Sequence, residues 1–198
     1  METTNNLINI YLEANPNPNS LKFVANFMLV PEGKSYDFPD AASAEHAPLA
    51  KELFGFDHVE RVFYLSNFIT ITKSSQVDWL EIQHQLKAHI KSYLESGRPL
   101  ITEAYQEVVK ETKLETSATT GSDIEEKIKQ ILEEYIKPAV EQDGGAISFH
   151  SYNDGIVKVL LQGSCSGCPS ATITLKAGIE NLLKKMIPDV KEVVAEGV

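Results

Sequence analysis

Two cysteines, Cys165 and Cys168, are the only ones in 198 residues, and they lie within Gly163-Ser164-Cys165-Ser166-Gly167-Cys168-Pro169. A C-x-x-C pair set in glycines and closed by proline restricts what can surround it. The run before it, Gly155 to Gln162, is rich in β-branched residues and reads as a strand. The run after it sets Leu175, Ile179, Leu182, Leu183 and Met186 at helical intervals. The cysteines therefore belong to a strand-to-helix turn. Pro169 suits the first helical position, where its missing N–H costs nothing. That puts Cys168 at or near the N-cap, where unpaired N–H groups and the helix dipole favour thiolate over thiol. Gly163 and Gly167 permit positive φ, so the loop can fold tightly and aim both sulfurs to one side. Thiolate is the form that binds soft metals and iron–sulfur clusters.

The elements around this turn make one unit. Ser122 opens an S-x-x-E capping box with Glu125. The helix that follows is expected to turn Ile124, Ile128, Ile131, Leu132 and Tyr135 inward. Asp143-Gly144-Gly145 turns the chain into a strand of Ile147 and Phe149, and Asn153-Asp154-Gly155 is a hairpin turn. Pro188 follows the last helix, and Val190 to Val194 forms a closing strand.

The first half of the chain reads differently. Leu7 to Glu13 is a strand, and Asn15 to Ser20 a turn. A second strand starts at Leu21 and runs toward Val30, and Tyr36 and Phe38 form a short extended piece. Ala41 to Leu53 is alanine-rich and reads as helix, with Pro48 capping or interrupting it. Val59 to Leu65 and Phe68 to Thr72 form a hairpin around Ser66-Asn67. A helix follows with Trp79, Ile82, Leu86, Ile90, Tyr93 and Leu94 in its stripe, ended by Gly97-Arg98-Pro99. Leu100 to Val109 is a short helix or an extension pairing with this half, and Thr116 to Gly121 is a polar flexible run. The fold class expected is α+β: two small domains, each a small mainly antiparallel sheet covered by helices, joined by a flexible linker. The boundaries are 1–106, a linker at 107–121, and 122–198.

Pro138 to Gly145, the strand, the G-x-C-x-x-C-P turn and the helix beginning Ser170-Ala171-Thr172-Ile173-Thr174-Leu175 resemble the C-terminal, Nfu-type domain of NifU. This resemblance covers about residues 122–198. Asn17 to Phe23, the hairpin strands and the Trp79 helix are similar to the separate N-terminal domain of many Nfu proteins, over about residues 7–100. The resemblance implies a carrier, not an enzyme. It would hold a [4Fe-4S] cluster, one per homodimer, between two subunits. Cys165 and Cys168 fall on the family's ligand positions. The partners implied are a donor scaffold, apo iron–sulfur proteins as recipients, and a second copy of the chain.

Read from the residues alone, the cysteine pair leaves two other chemistries open. One is a thiol–disulfide oxidoreductase, although only 30 residues follow Cys168 and its usual scaffold is longer. The other is a zinc-stapled interaction module, which needs four protein ligands and hence a second chain. The histidines offer no further ligand set. His84 and His89 are five apart on one helix, His46 and His58 have no partner at ligand spacing, and alternation turns His150 away from Ile147 and Phe149.

A net charge of −10 argues against nucleic acid, whose binding comes chiefly from neutralised phosphates. It gives no reason to expect an anionic membrane surface, and no apolar run approaches the length of a membrane span. Met1 to Asn6 lacks the basic start and apolar core of a signal peptide and the arginines of a transit peptide. The expectation is a cytoplasmic protein with reduced cysteines.

Overall fold

The computed structural model of the chain describes residues 7–102, 123–166 and 169–197. The linker at 107–121, the Ser122 cap, most of the 100–109 segment, Gly167 and Cys168 lie outside the described residues.

The first domain runs β1 (Ile10–Ala14), β2 (Ser20–Ala25), β3 (Ser35–Phe38), α1 (Pro48–Leu53), β4 (Val59–Leu65), β5 (Phe68–Lys73) and α2 (Trp79–Glu95). Its strands form one antiparallel sheet in the order β1-β2-β5-β4-β3. Strand alternation sends Phe23, Val62, Tyr64, Ile69 and Ile71 to one face. There they bury against Leu49 and Leu53 of α1 and Leu86, Ile90 and Tyr93 of α2. The α2 helix starts where the sequence directs it. Asp78 accepts from the Leu80 N–H at 2.8 Å, and Glu81 reaches back to the Asp78 N–H at 3.4 Å.

The other face of the sheet is buried too. Lys22, Arg61, Phe63, Leu65, Phe68 and Thr70 are all covered. In β4 the run Val62-Phe63-Tyr64-Leu65 is accordingly apolar without alternation, the pattern of a strand with no solvated side.

Two expectations for this half need correction. The alanine-rich stretch is helical only from Pro48, and residues 41–46 are turns. Proline disfavours helical φ/ψ in the residue before it, and Ala47 sits at φ −123°, ψ 85°. The second strand stops at Ala25 instead of continuing toward Val30. The chain turns there, so that the Leu29 and Val30 N–H groups donate to the Ser66 carbonyl at 2.8 and 3.0 Å.

The second domain runs α3 (Asp123–Ile131), a π-turn (Leu132–Ile136), α4 (Lys137–Gln142), β6 (Gly145–Asn153), β7 (Ile156–Gly163), α5 (Pro169–Met186) and β8 (Glu192–Gly197). β6 and β7 pair antiparallel across the two-residue Asp154-Gly155 turn, in which both residues have positive φ. β8 pairs parallel to β7, so α5 is a crossover connection. The core gathers Ile128, Ile131, Val140, Val157, Val159, Leu161, Ile179, Leu183 and Val193. Met186, which shares the helical spacing of Ile179 and Leu183 in the sequence, is exposed, and Ile187 is buried just after the helix.

The π-turn revises the expected inward face of the first helix. Pro138 has no N–H, and its ring crowds the carbonyl four residues back. The helix widens just before it, with the Lys137 N–H donating to the Leu132 carbonyl. One extra residue in the turn rotates everything after it. Tyr135 is consequently 51% exposed, and Ile136 packs on the core in its place. Tyr135→Ser should therefore change stability by less than about 0.5 kcal/mol, whereas Ile136→Ser should cost about 1–2 kcal/mol in urea denaturation.

Candidate functional site

The cysteine turn occupies the connection between β7 and α5, as the sequence pattern requires. β7 ends at Gly163, which has φ +67°, and α5 begins at Pro169. Ser164, Cys165 and Ser166 are buried, with Cys165 only 6% exposed and part of the second domain's core cluster. The Ser164 hydroxyl lies 3.9 Å from Cys165 Sγ and donates to the Asp143 carbonyl. The Ser164 N–H donates to the Gly144 carbonyl at 3.3 Å. The turn thus rests on the segment that enters β6. That segment must be glycine: a Cβ at Gly145 would stand 2.9 Å from Cys165 Sγ and 2.6 Å from the Gln162 carbonyl.

The second face of the first domain's sheet lies directly against this paired segment. Asn17 Nδ2 donates to the Ser164 carbonyl at 3.0 Å, in a buried position. Thr70 Oγ1 donates to the Gly144 carbonyl at 2.8 Å, also buried. Lys22 Nζ donates to the Gln142 carbonyl at 3.1 Å, pairs with Glu13 at 3.2 Å and lies 4.4 Å from the centre of the Phe68 ring. Ser35 Oγ meets Gln162 Oε1 at 3.3 Å. Phe63, Leu65, Phe68 and Ala146 close a small apolar cluster between the domains. A Cβ at Gly144, where φ is +81°, would stand 3.0 Å from both Lys22 Cγ and Thr70 Oγ1. A Cβ at Gly163 would stand 2.8 Å from the Phe63 ring.

One buried ion pair borders the turn. Arg61 Nε is 3.2 Å from Asp37 Oδ1, and both side chains are almost fully covered. Burial raises the Asp37 carboxyl to about 6, opposed by the Arg61 charge and then by the nearby N–H groups of Gly163 and Phe38. Neither Asp37 oxygen completes a well-aligned hydrogen bond, so these groups recover only part of the lost hydration.

Of the two cysteines singled out in the sequence, the structure places Cys165 on the turn, and Cys168 lies outside the described residues. The histidines are not brought to it. His58 and His150 are exposed, and His89 pairs with Glu52 at 2.9 Å in the first domain. Among the described residues no cluster of three or more His, Cys, Asp or Glu is arranged to hold a metal ion, and no helix is long and apolar enough to cross a membrane. Sequence reasoning missed Asn17, Lys22, Asp37 and Thr70. The run Val62-Phe63-Tyr64-Leu65 in β4, apolar on both faces, calls for a second covering layer, but it does not point to these four residues.

This is a two-domain α+β protein with a cysteine turn braced by the neighbouring domain. The family model for the "Scaffold protein Nfu/NifU N terminal" matches residues 10–97, and that for the "NifU-like domain" matches residues 128–194. The "NFU1 iron-sulfur cluster scaffold homolog, mitochondrial" of Drosophila willistoni is 41% identical over 93% of this chain and 62% of its own length. "NifU-like protein 4, mitochondrial" and "NifU-like protein 5, mitochondrial" of Arabidopsis thaliana are each 40% identical over 94% of this chain, and over 65% and 67% of their own lengths. The chain belongs to the Nfu/NifU-like family, and it spans about 62% of the first of these relatives.

The cytoplasmic expectation is corrected by the same comparison. The relatives are named mitochondrial, which points to mitochondria instead. That expectation rested on the character of Met1 to Asn6 and on nothing in the folded domains.

Asp37 gives the site a pH signature. Its folded pKa of about 6 lies above the ordinary 3.8, so the native state binds the proton more tightly than the unfolded chain. The charged form therefore weakens the fold at neutral pH by roughly 3 kcal/mol, and this penalty is relieved as pH falls through 6 toward 4. The stability of the parent relative to Asp37→Asn should rise across that window, as measured by urea denaturation at a series of pH values.

Proposed function

We propose that this protein is an iron–sulfur cluster carrier: two copies hold a [4Fe-4S] cluster as cargo between their cysteine turns and pass it to apo-proteins. The observation that carries the reading is the position of Cys165 in the connection 164–168, between the end of β7 and the first residue of α5. The family membership and the scaffold names of the relatives support it. They favour an assembly protein over a catalyst.

The donor set suits the cargo. Cys165 and Cys168 are the proposed ligands, and thiolates are what such clusters require. The helix that begins at Pro169 supplies the positive end of a dipole beside them. Backbone glycine at 145 lets the main chain approach Cys165 closely, as a ligand loop needs. Delivery is ligand exchange: an incoming thiolate takes a coordination position as a turn cysteine leaves it.

Counting sets the assembly. A [4Fe-4S] cluster held by cysteine takes four thiolates, and this chain supplies two. A second copy of the same turn completes the set about a two-fold axis, the commonest oligomer symmetry. Cluster binding is then linked to dimerisation, because the full site exists only in the dimer. The proposed domain boundaries are 1–106, 107–121 and 122–198, with the second domain as the carrying unit.

Anaerobic reconstitution with iron and sulfide separates this reading from its rivals. The expected product is a brown dimer with about one [4Fe-4S] per two chains, measured by light scattering with iron and sulfide analysis on the same fractions. A colourless protein that binds zinc, or one that only cycles between dithiol and disulfide, would overturn it. Cys165→Ser and Cys168→Ser should each abolish stable cluster binding while leaving far-UV circular dichroism unchanged. The fragment starting at Ser122, with its own apolar core, should fold and take up a cluster alone.

A further inference from the structure

We propose that Asn17, Lys22 and Thr70 are positioning residues of the cysteine turn: from the first domain they clamp the backbone of the turn and of the segment 142–144 on which it rests, and so limit how readily Cys165 exchanges partners. The proposal takes the cluster-carrier reading for its biological meaning, but the clamp itself is a property of the cluster-free chain.

Three contacts of one kind carry the inference. Each runs from a side chain of the first domain to a main-chain carbonyl of the second. Asn17 reaches Ser164, Thr70 reaches Gly144, and Lys22 reaches Gln142, all within 3.1 Å. The three side chains sit on β2, β5 and the turn before β2, and all are buried. The carbonyls converge, because Gly144 and Ser164 are already bonded to each other. Fixing one therefore fixes the other, and Cys165 follows Ser164 directly.

Asn17 is oriented for this task. Its own N–H donates to Asn15 Oδ1 at 3.1 Å, and its Oδ1 accepts from the Asn19 N–H at 3.0 Å. That leaves the amide nitrogen aimed at Ser164. Thr70 is similarly committed: the alternation of β5 turns it away from the helices that Ile69 and Ile71 meet, toward the second domain. The glycines complete the fit from the other side. No side chain at 144 or 163 would leave room for Lys22, Thr70 and Phe63.

The functional consequence follows from exposure. Cys165 is 6% exposed with the clamp closed. Ligand exchange needs an attacking group at the sulfur or its metal, so the turn has to open locally. Every clamp bond left unmade in the closed form favours the open one, since a buried carbonyl without its donor loses much of the advantage of burial.

The test uses the full chain carrying Cys168→Ser, so that only Cys165 can react, and follows iodoacetamide modification by mass spectrometry. Thr70→Val keeps the volume and removes the hydroxyl. It should raise the modification rate on the order of tenfold, as should Asn17→Ala. Thr70→Ser, which keeps the donor, should stay near the parent. Ile69→Val removes a methyl group on the same strand but faces the helices. It should lower global stability without changing the rate at Cys165. A Thr70→Val rate equal to the parent's overturns the clamp, as does an equal increase from Ile69→Val. In a second arm the chain keeps both cysteines and is reconstituted, and iron loss to a chelator is timed. Thr70→Val should lose iron faster than the parent. Equal rates of loss would overturn the link between clamp and exchange. If the parent takes up no cluster, the carrier reading fails, and the modification rates still decide the clamp.

Discussion

The contact of bare backbone at Gly144 and Gly163 with the outer face of the five-stranded sheet is what the arrangement of this protein depends on. Helices cover one face of that sheet, and a turn of another domain covers the other. The approach is close because neither glycine carries a side chain and both have positive φ, a conformation that other residues adopt at a cost. An alanine at either position would meet both obstacles at once. The two halves of the chain are therefore not simply strung together. Phe63, Leu65 and Phe68 would be an exposed apolar patch without the second domain, the kind of surface that makes an isolated domain associate.

Much of this was legible in the sequence. The strand, the turn at Gly163 and the helix from Pro169 lie where the β-branched run, the glycine and the proline put them. The Ser66-Asn67 and Asp154-Gly155 hairpins appear as expected, because short loops between alternating runs leave little freedom. The α2 stripe was legible too, since a capping box and a 3.6-residue period agree over 17 residues.

What was not legible has physical reasons. The alanine-rich stretch before Pro48 has high helix propensity, but the proline's steric effect on Ala47 outweighs it. Tyr135 sits at an ideal inward interval, and only the widened turn before Pro138 moves it out. A periodicity argument assumes a constant number of residues per turn and fails where that number changes. The clamp was invisible for a different reason. Asn17 and Thr70 are ordinary turn and strand residues by composition, and their partners are carbonyls 147 and 74 positions away. Backbone acceptors leave no mark in the sequence that would pair them with a distant side chain. The compartment was misread because it was sought at Met1 to Asn6, whereas the relatives' names point to mitochondria.

The widened turn at Leu132–Ile136 has a further consequence, for length variation over evolutionary time. Such a turn is an α-helix that has accepted one additional residue without breaking. Elsewhere in α3 or α4, gaining or losing a residue would swing all the downstream side chains about 100° around the axis. Here the swing has already happened, and the core has been built around it, with Ile136 inward and Tyr135 outward. Pro138 keeps it from reverting. A deletion that tightened the turn would return the proline ring to the carbonyl it now avoids. The helix is thus fixed in length at this point, and inherited insertions and deletions in this domain are expected to fall outside it.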